Sequence, residues 1–278
     1  MKLIITADDY GMSVGVNNAI IEGIKAGVIS STNIMTNMEY YKDFPYLKQY
    51  NPNVSIGIHW TLTAGKPVTD IRDIPSLVDN NGCFYSYAEF HRRYRQHKIL
   101  DDEIARELIG QYDLFHSLYG DPDYWNTHQN VHVDFRIYRL FVDTAKTLNI
   151  RKMRSHQRVY VPSSTKETSM PLSWRIIEPF KSRLLDCWQK NAHHLGISSP
   201  DGIIVCLNEK DSHNPEYVFG NIKWGKNTCA EFVIHPATEN DSPYFGKIVE
   251  QRILEYRMFS NSTMKSILSN NNIELAYY

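Results

Sequence analysis

An apolar run, Leu3-Ile4-Ile5-Thr6-Ala7, stops at two successive carboxylates, Asp8 and Asp9, and the chain then turns at Gly11 into a helix that starts near Ser13. Such a run reads as a buried strand. Like charges side by side at its end are electrostatically costly unless a cation or a shared proton relieves them. The arrangement recurs: Ile58-His59, Asn126-Thr127-His128, Met153-Arg154 and Ile234-His235 each set a polar, ligand-type residue where a strand-like run ends. Residues of this kind at the carboxyl ends of several strands point to one metal-centred active site on an α/β scaffold.

The rest of the chain keeps that alternation. Strands are expected at 3–7, 30–38, 54–59, 124–131, 151–155, 203–207, 231–234 and 273–277. Helices are expected at 14–26, 41–49, 101–119, 136–148, 174–188 and 243–258. The first helix has Ser13 as N-cap, Ile20, Ile21 and Ile24 on one face, and Gly27 as its stop. The 101–119 helix repeats Ile104, Leu108, Tyr112, Phe115 and Tyr119 at helical spacing and closes at Gly120. Two stretches break the rhythm. Residues 66–100, with Pro67, Pro75 and Asn80-Asn81-Gly82, read as an excursion over a site, and residues 157–200 are the least regular part. Alternating strands and helices imply a mostly parallel sheet. The expected architecture is a single β/α barrel domain over 1–278, TIM-like but distorted or incomplete, with loop insertions and the active site at the carboxyl ends of its strands. A doubly wound open sheet is the alternative.

Composition narrows the function classes. A formal net charge of -1 exerts no global pull on nucleic acid or anionic membranes. No apolar stretch approaches the ~20 residues that span a bilayer, and the first residues lack a signal peptide's basic region, so a cytoplasmic location is the expectation. The four cysteines are scattered and form no CxxC, which speaks against a thiolate zinc site or a disulfide framework. A Ser nucleophile elbow, a Walker loop and a dinucleotide GxGxxG are all missing. What remains is metal-assisted attack by water.

The candidate ligands each have an ordinary reading. Asp8 and Asp9 can form a turn and cap the next helix, but one Asp suffices for that. Two successive carboxylates can diverge, one toward a metal and the other toward substrate or water. His59, as a lone residue, would be a hydrogen-bonded core histidine; its strand-end position favours a ligand. His128 and His132 share one side of an extended chain, with His128 the better ligand and His132 a supporting, substrate-facing or simply exposed residue. His235 and Arg154 follow apolar runs in the same way. One Asp and two His make a three-ligand site with open positions. Their nitrogen and oxygen donors favour zinc, with manganese, cobalt or magnesium as alternatives.

The set Thr6-Ala7-Asp8-Asp9-Tyr10-Gly11, Gly57-Ile58-His59-Trp60-Thr61-Leu62-Thr63, Thr127-His128-Gln129-Asn130-Val131-His132 and Ile234-His235-Pro236-Ala237 resembles, in order and separation, the YdjC-like (ChbG-type) carbohydrate deacetylases. The resemblance implies a β/α-barrel hydrolase that removes acetyl groups from N-acetylated sugars, notably chitooligosaccharides, with one divalent metal, Mg2+ or Zn2+. By that likeness Asp9, His59 and His128 are the metal ligands and Asp8 the general base. His235 stands near the acetyl group, and Arg154 orients Asp8. The chain departs from the family's usual pattern at Asn126, where an acidic residue is usual, and at Gln129 and Asn130, where histidines are usual. Other metal hydrolases such as phosphoesterases, and a noncatalytic sugar-binding protein using some of the 18 Tyr and 5 Trp, are the competing readings. The expected partner is an N-acetylated sugar, not nucleic acid or membrane, and a homodimer is the assembly to test for.

Overall fold

The computed structural model describes residues 1–165 and 172–278. Its centre is β1 (Lys2–Tyr10), which is buried from Leu3 onward. Full burial of each Leu or Ile in this strand contributes about 1.5–3 kcal/mol. Burial on both faces is the mark of a parallel sheet covered by helices. Around it lie β2 (Ser31–Ile34), β3 (Ser55–Trp60) and β4 (Trp125–Thr127) on one side, and β7 (Cys229–Ile234), β6 (Gly202–Cys206) and β5 (Arg158–Val161) on the other. All pairings are parallel, and the order is β4-β3-β2-β1-β7-β6-β5. Neighbours in that order are consecutive in sequence around a ring, with β7 beside β1. The sheet therefore curls as an incomplete, TIM-like barrel, and the doubly wound alternative is set aside. The two-residue β8 (Glu274–Leu275) pairs with Lys2 and Leu3 of β1, below the point where β2 joins at Thr6.

The barrel is distorted between β4 and β5. The strand expected at 151–155 is reduced to isolated bridges, Trp125 with Met153 and Lys152 with Ser198. Backbone hydrogen bonds from Trp125 N to Lys152 O (3.0 Å) and from Arg154 N to Trp125 O (3.1 Å) still hold this segment beside β4.

Helices form where the apolar spacing requires them. In α1 (Val14–Lys25) the Ser13 hydroxyl accepts from Val16 N at 3.2 Å, and Val16, Ala19, Ile20 and Ile24 are buried. Gly27, at φ 66°, takes the left-handed turn that ends it. α2 (Tyr87–Arg95) lies inside the 66–100 excursion. α3 (Asp101–Tyr119) buries Ile104, Leu108 and Phe115 and stops at Gly120. α4 (Tyr138–Thr147) and α5 (Leu172–His194) follow. The irregular reading of 157–200 is corrected by β5 and by a longer helix than expected; within that stretch residues 166–171 lie outside the described part. α2, α6 (Pro215–Asn221) and α8 (Thr263–Asn270) were not expected, and α7 (Val249–Phe259) begins six residues later than the 243–258 reading. These three helices are only 9, 7 and 8 residues long, too short to repeat an apolar period clearly.

Gly57 in β3 is required by a close approach. A Cβ there would stand 2.6 Å from the Tyr124 ring, whose hydroxyl accepts from the Ser31 hydroxyl at 2.8 Å.

Candidate active site

The strands end at the site, and a bulge divides the two acids between two roles. The β1–β2 register shifts between Ala7 and Tyr10, and Asp9 sits at φ 75°. A bulge re-aims side chains next to it, and Asp tolerates the left-handed region better than most residues. As a result, both carboxylates are buried but face opposite groups. Asp9 Oδ1 lies 3.2 Å from His59 Nε2 and 3.1 Å from His128 Nδ1, while its Oδ2 accepts from Arg252 at 2.5 Å. Asp8 Oδ1 accepts from Arg154 at 2.7 Å and from Asn33 at 2.6 Å, and its Oδ2 accepts from Arg154 at 2.8 Å.

Asp9, His59 and His128 therefore converge, with one ligand atom from each inside a 4.8 Å group. Two donors bonded to one ion at about 2.1 Å stand roughly 3.0–3.4 Å apart in cis or tetrahedral geometry. The two contacts to Asp9 Oδ1 fall in that range. One carboxylate and two imidazoles also form a suitable donor set for a borderline divalent ion. The residues fit a metal, and this is the only such group among the described residues.

Electrostatics supports these forms. Burial alone would raise the pKa of Asp9, but Arg252 and His128 outweigh it and hold the carboxyl well below its ordinary value. Burial likewise works against Asp8, and Arg154, aided by His59 and His235, holds it low. Both acids are anions at neutral pH. Burial pushes His128 below its ordinary 6.5 despite Asp9, which favours the neutral imidazole that can ligate a metal.

Local structure corrects one expectation. The strand read over 124–131 ends at Thr127, and His128–Asn130 form a 3-10 turn with Gln129 at φ 54° and Asn130 at φ 52°. His128 and His132 thus do not alternate along a strand. His132 is buried, not exposed; its Nδ1 is 2.6 Å from the Thr127 hydroxyl and its ring lies against Trp125 and His156.

Arg154 and His235 both reach Asp8. His235 directly follows β7, its backbone N donates to Glu255 at 2.6 Å, and its Nε2 stands 3.7 Å from Asp8 Oδ2 with the side chain 32% exposed. Beside Arg154 opens a cavity of about 430 Å³ lined by Gln129, Asn130, Ser155, His156 and Lys181, among others.

Four site residues were missed from sequence: Asn33, Glu231, Arg252 and Tyr278. Glu231 carried a readable signal, a lone charge inside the apolar run Ala230-Glu231-Phe232-Val233. It is fully buried and accepts from Arg154 Nε at 3.1 Å and Nη2 at 3.0 Å. Arg252 had none, since it sits among ordinary helix residues.

A curled parallel β/α sheet with a buried Asp-His-His centre at its strand ends defines a barrel protein built around a metal-capable site. The particular group follows from comparison: the chain belongs to the YdjC-like protein family, whose model matches residues 2–270. It is 35% identical over 150 residues to a carbohydrate deacetylase of Clostridium beijerinckii, a match that covers 54% of this chain and 58% of that protein. The chain thus spans little more than half the length of that relative. A carbohydrate deacetylase of Thermoanaerobacter pseudethanolicus is 26% identical over 286 residues, 99% of this chain and 97% of its own. A chitooligosaccharide deacetylase of Yersinia enterocolitica is 33% identical over 171 residues, 60% and 66% of the two chains. The fold is shared with a crystal structure from Enterococcus faecalis, at TM-score 0.75 and 24% identity, over 100% of this chain and 97% of that one.

Proposed function

We propose that this chain is a metal-dependent N-deacetylase of N-acetylated sugars, with chitooligosaccharides and related N-acetylglucosamine compounds as its substrate class. The observation that carries the reading is a second buried carboxylate, Asp8, beside the Asp9-His59-His128 group, in a family whose relatives include proteins named for sugar deacetylation. Asp9, His59 and His128 would hold the ion; the two imidazoles favour Zn2+, and Mg2+ is the alternative. When bound, the ion polarises an amide carbonyl and lowers the pKa of a water from ~16 toward 7.

The other steps belong to side chains. Asp8 takes the water's proton as the water attacks the acetyl carbon. Arg154, with two hydrogen bonds to Asp8, fixes the carboxylate's plane and keeps its proton affinity low. The proton therefore does not rest on Asp8 but passes to His235 Nε2, 3.7 Å from Asp8 Oδ2. His235, close to Asp8 Oδ2 and open to solvent, delivers a proton to the leaving amine, which departs poorly unless protonated. The cavity beside Arg154 receives the sugar.

We take residues 1–278 to act as one domain. A cytoplasmic location and a homodimer belong to the same reading. No helix among the described residues is long and apolar enough to cross a membrane.

The test combines metal analysis with release of free amine from a panel of N-acetylated mono- and oligosaccharides. Asp8→Asn should abolish turnover and retain the metal, whereas His59→Ala and His128→Ala should lose both. Loss of metal from Asp8→Asn would make Asp8 a ligand. An inactive wild type that still binds N-acetylglucosamine oligomers would favour a binding protein, and phosphatase activity with two ions per chain a phosphoesterase.

A further inference from the structure

Asn126 lies in β4, fully buried, with its side-chain amide wedged between His59, Arg154 and Asn33. An amide has one end that accepts and one that donates. One end stands 2.5 Å from His59 Nδ1. The other end stands 2.9 Å from each terminal nitrogen of Arg154 and 2.9 Å from Asn33 Nδ2. Those three nitrogens can only donate. Hydrogen bonding at that end is satisfied when it is the carbonyl oxygen, which turns the NH2 toward His59. His59 Nδ1 is then the bare, accepting nitrogen. The ring proton sits on Nε2 and points at Asp9 Oδ1, 3.2 Å away.

That arrangement opposes the ligand role. A histidine that binds a metal through Nε2 carries its proton on Nδ1 and gives it to an acceptor. Turning the amide over supplies this acceptor but presses an NH2 against three donors. No single placement of an amide serves both neighbours. A carboxylate would, accepting from His59 Nδ1–H with one oxygen and from Arg154 and Asn33 with the other.

We propose that Asn126 is a positioning residue that sets the tautomer of His59 against the metal, so that loading the site requires the amide to turn over and the imidazole to move its proton. The site is thereby tuned to weak, exchangeable binding. This rests on the reading of Asp9, His59 and His128 as a metal centre, and it concerns how firmly this chain holds the ion, not which reaction follows.

The experiment titrates Zn2+ alone into metal-stripped wild type and Asn126→Asp by calorimetry, with histidine ring 15N spectra of both metal-free proteins. Asn126→Asp should bind about 10–100-fold more tightly, the usual scale of a histidine's hydrogen-bond partner. In the spectra, His59 should carry its proton on Nε2 in wild type and on Nδ1 in the variant. Equal affinities, or an Nδ1–H tautomer in the metal-free wild type, would overturn the proposal while leaving the metal centre intact. Should Asn126→Asp fail to fold, the wild-type spectrum alone decides. If neither protein binds the ion, or His59→Ala leaves affinity unchanged, the metal centre itself falls and this inference with it.

Discussion

The Tyr278 hydroxyl donates a 2.7 Å hydrogen bond to Glu231 Oε2, at the far end of the network that holds Asp8. Glu231 shares the Arg154 guanidinium with Asp8, so Tyr278, Glu231, Arg154 and Asp8 form one connected line through the barrel. The Tyr278 ring stacks on Tyr124 at 3.7 Å between centroids and 6° between planes. Packing fixes the ring, and its hydroxyl fixes the carboxylate that steadies Arg154.

Tyr278→Phe keeps the stacking and removes the hydrogen bond. A bond to a charged group contributes about 1.5–3 kcal/mol, so urea unfolding of the variant should show a free energy lower by about that amount. Its kcat should fall several-fold with KM and metal content held. Equal unfolding curves and equal kcat would show that the hydroxyl does not support the site.

Arg154→Met leaves Asp8 and Glu231 as buried carboxylates without their cation. Breaking a buried pair from one side costs about 3–5 kcal/mol. Arg154 is also the leading group that holds the Asp8 pKa down against burial. Without it the Asp8 pKa rises, and the acid limb of the pH–rate profile should move to higher pH. An acid limb in its original place would assign that limb to another group.

Removal of the ion should lower stability as well as activity. A ligand present at a hundred times its Kd stabilises the folded state by about 2.7 kcal/mol. Chelator-stripped protein should therefore melt several degrees lower and recover with added Zn2+. His59→Ala should show no such recovery; a full recovery there would remove His59 from the ligand set.

Acid should destabilise the fold through His156. Burial, with help from the Arg154 charge, lowers its pKa from 6.5 to about 4, and its Nε2 has no hydrogen-bond partner in the structure. As pH falls through 6.5 the unfolded chain takes up a proton that the folded chain refuses until about pH 4. Its stabilising contribution is full above pH 6.5 and is lost between the two values, up to about 3 kcal/mol. His132, also held low by burial, acts in the same direction. Urea unfolding at pH 7.5 and 5.0 measures the loss, and His156→Leu should flatten it. A slope that survives in His156→Leu would place the titrating group elsewhere.

Much of the site was legible because its residue types are chemically distinct from the strands that carry them. Asp8, Asp9, His59, His128, Arg154 and His235 interrupt apolar runs, and parallel β/α topology sends strand ends to one face. α3 was equally legible, since nineteen residues show several full helical periods. The turn at His128–Asn130 was hidden: two successive left-handed residues leave little trace when one is Gln. The partners were hidden for a different reason. Arg252 lies 243 residues from Asp9 along the chain, and nothing local marks a helical Arg as the one that meets it.

The sequence by itself determined the α/β rhythm, the burial of β1 and the polar residues at the strand ends, because periodicity and residue chemistry are local properties. Tertiary structure alone decided which of two adjacent carboxylates faces the imidazoles and which faces Arg154. That choice depends on the bulge at Asp9, and a bulge exists only where two strands of unequal register are held together by hydrogen bonds across the sheet.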